Sequence, residues 1–63
     1  MGAQIDRKSL LDAVHNFLHE TRMSATRFGY AAVGDPGFVR KLRTGHDFRI
    51  STLERAQAFI TSN

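Results

Sequence analysis

The 63-residue sequence contains no cysteine and no tryptophan, and it has a single proline, Pro36. Without cysteine the chain forms no disulfide and offers no thiolate ligand to a metal, so we expect a reducing, cytoplasmic environment. No apolar run approaches the roughly 20 residues of a membrane span, so no membrane partner is expected. A domain this small buries only about 60% of its unfolded surface, which favours a partner subunit.

Residues typical of catalytic sites are also scarce. The chain has no phosphate-cradling glycine loop and no carboxylate pair with convincing spacing. His46 and Asp47 are adjacent but have no identified nucleophile, so we predict no enzymatic activity, no cofactor and no small-molecule ligand. His15 and His19 share a helical face beside Glu20, but a third ligand is not evident. Ordinary surface histidines are the favoured interpretation, and no metal is predicted.

Charge is distributed unevenly, although the net charge is only +3. Residues 1–20 carry two cations against three anions, residues 21–50 carry six against two, and residues 51–63 carry one of each. The middle of the chain is therefore a cationic block, which is the distribution expected of a surface that faces a polyanion. An ordinary solvated face would carry similar charge, so charge alone leaves both interpretations open.

Apolar residues recur at helical spacing throughout the chain, and the alternation typical of strands is missing. We therefore predict an all-α fold, with a single compact four-helix domain over residues 1–63. Asp6 stands where an N-cap would begin the first helix, and Ser51 with Glu54 has the spacing of a capping box for the fourth. The predicted helices span about 6–20, 24–33, 36–44 and 51–61.

The second predicted helix has a nearly bare side against which another helix can pack. Ser24 is its expected N-cap, and we predict that Phe28, Ala31 and Ala32 face inward beside Gly29. An interior glycine costs about 1 kcal/mol of helix propensity relative to alanine. We therefore expect another helix to pack closely against Gly29, and this contact would offset the lost helix propensity.

The stretch VGDPG, residues 33–37, ends the second helix and begins the third within a few residues. Gly34 can adopt the left-handed conformation that ends a helix. Asp35 can cap the next helix, and Pro36 suits a first helical position because its missing N–H would be unpaired there. Gly45 is expected to end the third helix.

The third predicted helix has an apolar side and a cationic side. Its inward side carries Phe38, Val39 and Leu42, and its outward side carries Gly37, Arg40, Lys41 and Thr44. The major groove of DNA is about 12 Å wide and admits one helix whose outward side chains donate hydrogen bonds. A short helix of this kind, tightly joined to its predecessor, is suited to that groove.

From residue 24 to residue 60 the chain resembles the helix-turn-helix domain of the lambda repressor and Cro family, the XRE-type regulators. The stretch SATRFGYAAVGDPGFVRKLRTG matches the two-helix motif, with Phe28 in its first apolar position and Gly29 where the helices touch. The stretch RTGHDFRISTLERAQAFI resembles the loop and helix that follow. The usual turn glycine of the family stands one place later here, at Gly34.

This resemblance implies a transcriptional regulator, in most cases a repressor, that binds double-stranded DNA as a homodimer on a palindromic operator. It implies two recognition helices about 34 Å apart and a bacterial, phage or plasmid setting, with the protein associated with the nucleoid. The residues implied in base readout are Gly37, Arg40, Lys41 and Thr44. The residues implied in phosphate contact are Ser24, Thr26, Arg27, Arg43, His46 and Arg49. The fourth helix and the acidic outer side of the first are candidate dimer surfaces.

A rival interpretation explains the same charge and helical pattern. A small basic helical module, similar to an antitoxin or to an inhibitor of a nucleic-acid enzyme, would bind an acidic protein or structured RNA through the cationic block. Binding to duplex DNA distinguishes the two hypotheses, because a regulator prefers one palindromic site. A module of the rival kind would bind no duplex even at low salt.

Overall fold

The structure, a computed structural model, describes residues 6–62, which form four α-helices and the connections between them. The helices are α1 (Arg7–Thr21), α2 (Ala25–Val33), α3 (Phe38–Arg43) and α4 (Ile50–Thr61). No residue between 6 and 62 belongs to a strand, so the predicted all-α fold with four helices is confirmed. Within the same residues, no helix is long and apolar enough to cross a membrane.

The first two helices begin at the predicted caps. The Asp6 carboxylate accepts a hydrogen bond from the backbone N–H of Lys8 at 3.3 Å. The Ser24 hydroxyl oxygen accepts one from the backbone N–H of Arg27 at 3.1 Å. Each side chain satisfies one of the N–H groups that the first turn of a helix leaves unpaired. Both N-cap predictions are therefore confirmed.

The predicted capping box of the fourth helix is wrong. In the structure α4 begins at Ile50, and Arg49 is its N-cap without a side-chain hydrogen bond. The backbone N–H groups of Thr52 and Leu53 both donate to the Arg49 carbonyl oxygen, at 3.0 and 3.2 Å. Ser51 therefore lies inside the first turn, where its hydroxyl cannot act as the N-cap acceptor.

All four helices contribute to one core centred on Phe28, which has no exposed surface. Its ring lies 5.5–6.4 Å, between centroids, from the rings of Phe17, Phe38 and Phe59. Ala32 is buried beside it as predicted, but Ala31 is exposed, contrary to the prediction, because the buried stripe of α2 runs on the Gly29 side. The buried apolar residues are Leu10, Val14, Phe17, Phe28, Ala32, Phe38, Val39, Leu42, Leu53 and Ala56.

Gly29 is the point where α2 and the chain leading into α3 come closest. A Cβ atom at this position would overlap the backbone carbonyl oxygen of Asp35 and would lie 3.1 Å from the Cβ of Phe38. Real Cβ atoms do not tolerate such overlap with backbone, so only glycine fits without a shift. The predicted close contact at Gly29 is present, and it positions α3 against α2.

Candidate nucleic-acid interface

The turn between α2 and α3, residues 34–37, sets the direction of α3. Gly34 ends α2 in the left-handed conformation, with φ of 74°, as predicted. The backbone N–H of Asp35 donates to the Gly29 carbonyl at 3.1 Å, and the Asp35 carbonyl accepts from the N–H of Phe38 at 3.0 Å. One residue of the turn is thus hydrogen-bonded through its backbone to both helices.

The structure places the start of α3 two residues later than predicted. The Asp35 carboxylate accepts from the backbone N–H of Gly37 at 2.9 Å. This bond, with the backbone bond from Phe38 back to Asp35, closes a turn that contains Pro36 and Gly37. Gly37 and Thr44, both predicted on the helix, therefore flank a helix of six residues.

The apolar side of α3 is buried as the sequence predicts. Phe38, Val39 and Leu42 are each at most 1% exposed and pack in the core. Of the cations predicted outward, Arg40 is exposed and Lys41 is half-buried, while Arg43 is exposed and bonds to His15 on α1. Because burial of three apolar residues fixes the rotation of so short a helix, the arginine at position 40 is held outward.

A concave surface of about 470 Å³ lies between the start of α2 and α3, and we call it the basic groove. Its lining residues are Ala25, Thr26, Asp35, Pro36, Gly37, Arg40, Lys41 and Arg43. Three cations and one carboxylate give this surface a net positive charge, which attracts anions. Of the predicted base-readout residues, Gly37, Arg40 and Lys41 line the groove, and Thr44 does not.

A second concave surface, of about 420 Å³, lies at the amino end of α2. Its lining residues are Thr21, Arg22, Met23, Ser24 and Arg27. Unpaired N–H groups and the helix dipole make such an end favourable for an anion. The structure therefore brings Ser24 and Arg27 together here, whereas Thr26 lies in the basic groove.

The remaining predicted phosphate contacts are dispersed. The Nε of Arg43 donates to Nε2 of His15 on α1 at 3.2 Å, which anchors this groove arginine to a second helix. The ring of His46 packs on Phe48 with centroids 4.7 Å apart. His46 and Arg49 are exposed, and they line neither concave surface. The six residues thus form no single cluster.

Lys41 and Asp35 form an ion pair within the basic groove. The Lys41 Nζ donates to Asp35 Oδ2 at 3.0 Å, and the two side chains are 44% and 32% exposed. The hydrogen bond from Lys41 and the one from the Gly37 N–H lower the pKa of Asp35 below its ordinary 3.8, and burial opposes them. Asp35 is therefore a carboxylate at neutral pH, in a groove otherwise lined by cations.

Sequence reasoning missed the two polar partners that hold groove cations in place. Asp35 was expected only as a cap, and its pairing with Lys41 crosses a turn, where neither helical nor strand periodicity applies. His15 lies 28 residues before Arg43 in the chain. The D-P-G sequence indicates that the Asp35 side chain folds onto the turn, but no signal in the sequence identifies either cation partner.

Metal-ligating residues are not clustered in the part of the chain that the structure describes. Residues 6–62 contain no group of three or more histidines, cysteines or carboxylates close enough to hold a metal ion. The Nε2 of His15 is instead occupied by the hydrogen bond from Arg43.

Comparisons of this chain with protein-family models, with curated proteins and with solved structures found no match. The resemblance to XRE-type regulators therefore rests on the quoted motif residues. The geometry of α2, the turn and α3 is therefore the basis for assigning a function.

Proposed function

We propose that this protein is a sequence-specific DNA-binding regulator, acting as a repressor, that inserts α3 into the major groove of duplex DNA. The observation that carries this proposal is the division of α3, whose apolar residues are buried in the core while Arg40 is exposed in the basic groove. An α-helix with its side chains is about 10–12 Å in diameter, which a major groove about 12 Å wide admits.

The chemistry of the groove fits base edges. Arginine and lysine donate to the O6 and N7 acceptors of guanine, the commonest specific contact in the major groove. Arg40 and Lys41 supply these donors, while Gly37 lets the backbone come close to the duplex and Thr44 extends the contact beyond the helix end. Arg40 has the leading role in this arrangement, because Lys41 already shares one donor with Asp35.

Phosphate contacts position the helix in the groove. The amino end of α2 offers the Ser24 hydroxyl and the Arg27 side chain beside its free N–H groups. Thr26 and Arg43 lie along the basic groove itself. Such contacts carry affinity and register rather than sequence preference. His46 and Arg49, in the connection after α3, would extend this anchorage along one strand.

A homodimer on a palindromic operator completes the proposal. The basic groove must face DNA, which leaves α4 and the outer side of α1, with exposed Asp12 and Glu20, for the subunit contact. Two-fold symmetric proteins of this type bind half-sites one helical turn, about 34 Å, apart. Such a protein would act in a bacterial cytoplasm and would be associated with the nucleoid.

Selection of bound sites from a random duplex pool tests this function. We expect enrichment of one palindromic sequence. Replacement of Arg40 by alanine is expected to weaken binding to the enriched site by about 1–3 kcal/mol, the value of a bidentate contact to guanine. The control is Arg7→Ala, which removes an arginine that lines neither concave surface and is bonded to residues 46 and 47 instead, and which should change affinity far less.

The same experiment distinguishes DNA binding from the alternative function. No affinity for any duplex at low salt would contradict the proposal and would favour the basic module that binds an acidic protein or structured RNA. Equal affinity for the enriched and scrambled duplexes would leave only nonspecific binding, which depends on phosphate charge and not on sequence.

A further inference from the structure

The basic groove contains one anionic side chain, Asp35, and the structure fixes it there by four hydrogen bonds. Its backbone N–H and carbonyl are bonded to Gly29 and Phe38. Its carboxylate oxygens are bonded to the Gly37 N–H at 2.9 Å and the Lys41 Nζ at 3.0 Å. Since the missing Cβ of Gly29 makes room for the Asp35 carbonyl, the whole residue is seated in the turn. The carboxylate cannot swing away from an incoming ligand without breaking its bonds to Gly37 and Lys41.

A fixed carboxylate distinguishes two groups that both occur on a duplex. Phosphate oxygens carry negative charge and accept hydrogen bonds, so they are repelled by Asp35 and gain little from a lysine whose charge is already balanced. Base edges in the major groove also present donors, such as the N4 amino group of cytosine. Asp35 and Lys41 together offer an acceptor beside a donor.

We propose that Asp35 is a specificity-determining residue of this interface, which accepts from cytosine N4 while Lys41 donates to the guanine of the same base pair, and which disfavours phosphate beside Lys41. The inference rests on the proposed DNA-binding function and deepens it by naming a base pair that the site prefers. Carboxylates accept from cytosine N4 and lysine donates to guanine O6 or N7, so the ion pair matches a C·G edge, whereas phosphate offers acceptors and no donor.

The test compares Asp35→Asn with Asp47→Asn. Both changes remove one negative charge and one ion pair with a basic residue, but Asp47 is paired with Arg7 outside the basic groove and is fully exposed. The asparagine at position 35 keeps a side-chain carbonyl that can accept from the Gly37 N–H. The probes are the duplex enriched by the wild-type protein and a scrambled duplex of equal length and composition.

We expect Asp35→Asn to bind the scrambled duplex about tenfold more tightly, with a salt dependence steeper by about one phosphate contact. Its ratio of enriched to scrambled affinity should fall by about tenfold or more, because the contact to cytosine is lost as well. Asp47→Asn should change that ratio less than about twofold. A site selection repeated with Asp35→Asn should lose the C·G preference at one position of each half-site.

A double substitution tests whether Lys41 is the cation that Asp35 restrains. Lys41→Ala alone should change affinity for the scrambled duplex little, since its charge is balanced in the wild type. In the Asp35→Asn background the same change should abolish the gain in that affinity. Melting temperatures of all variants identify any loss of folding, and the binding ratios of variants that remain folded decide the outcome.

Two results would overturn the inference, and they differ in what else they contradict. If the wild type selects a palindrome but Asp35→Asn and Asp47→Asn give the same ratio and the same selected sequence, the role of Asp35 is wrong while DNA binding stands. If the wild type binds no duplex, both the proposed function and the inference fail.

Discussion

The two connections on either side of α3 are held in different ways. Residues 34–37 are tied by local hydrogen bonds, all made between residues 29 and 41. Residues 46–49 are held by α1, because the Arg7 guanidinium donates to the His46 carbonyl at 3.0 Å and pairs with Asp47 at 3.3 Å. The first connection is held by nearby residues, whereas the second combines local backbone bonds, such as His46 N–H to the Lys41 carbonyl at 2.9 Å, with bonds to Arg7 about 40 positions away.

This difference assigns separate roles to the two connections. The first fixes α3 against α2, and therefore fixes the shape of the basic groove. The second leads the chain from α3 into α4, and Phe48 within it packs on Phe38 with ring centroids 4.8 Å apart. Changes to the first connection should therefore alter the site, while changes to the second should alter stability and leave the groove in place.

The largest effect is expected from Gly29→Ala, which drives a Cβ into the Asp35 carbonyl. Overpacking of this kind costs about 1–3 kcal/mol, even though alanine is the better helix former. Urea unfolding measures the loss. Gly37→Ala is the matched control, because its Cβ would meet only atoms at 3.6 Å and should change stability by less than about 1 kcal/mol. Equal effects of the two changes would contradict the account of the turn.

The next effect tests the two glycines that follow α2 and α3. Gly34 and Gly45 both have positive φ, of 74° and 88°, and neither faces a close neighbour that would obstruct a Cβ. We expect Gly34→Ala and Gly45→Ala each to cost about 1 kcal/mol, since left-handed backbone is strained for any residue with a side chain. Similar losses in urea unfolding would show a conformational cost alone. A much larger loss at one position would show that the added methyl group also disrupts a contact there.

A pH effect is expected at the first connection, through Asp35. Because the pKa of Asp35 is lowered on folding, its carboxylate adds stability that is present above its unfolded pKa and is lost as pH falls through the folded pKa. We expect the stability difference between the wild type and Asp35→Asn to shrink as the pH is lowered from about 5 to about 2. Thermal unfolding across this range measures it, and a difference that grows toward acid pH would have the wrong sign. Asp47→Asn serves as the exposed control.

The smallest effect is expected at the second connection. Arg7→Ala removes an exposed hydrogen bond and ion pair, so the unfolding free energy should fall by about 0.5 kcal/mol, and by less at high salt. The same variant should retain the wild-type preference for the enriched over the scrambled duplex, because Arg7 does not line the groove and residues 46–49 are proposed to contact phosphate alone. A loss of that preference with little loss of stability would contradict the separation of roles.

The parts of the fold that the sequence predicted are those determined by neighbouring residues. Asp6, Ser24 and Gly34 act through bonds and dihedral angles within a few positions, so caps and helix ends could be located. The apolar side of α3 followed from its 100° periodicity alone. The separation of a buried face from a cationic face was therefore predictable, and with it the proposed interface.

The parts that could not be predicted depend on contacts distant in sequence or on competition between adjacent residues. Nothing near Arg43 indicates His15, and nothing near Asp47 indicates Arg7. Ser51 had a suitable spacing for a cap, but the helix starts one residue earlier, with Arg49 as its cap. The position of Asp35 inside the basic groove likewise emerges only when the turn is folded.

Intermolecular NOEs between the enriched duplex and the protein identify which helix contacts the bases. If α3 enters the major groove, Arg40 and Lys41 should give NOEs to protons that line that groove, with the phosphate-facing residues at the start of α2 near the sugar backbone. Base contacts made instead by α1 or α4, with the basic groove facing solvent, would contradict this placement of α3.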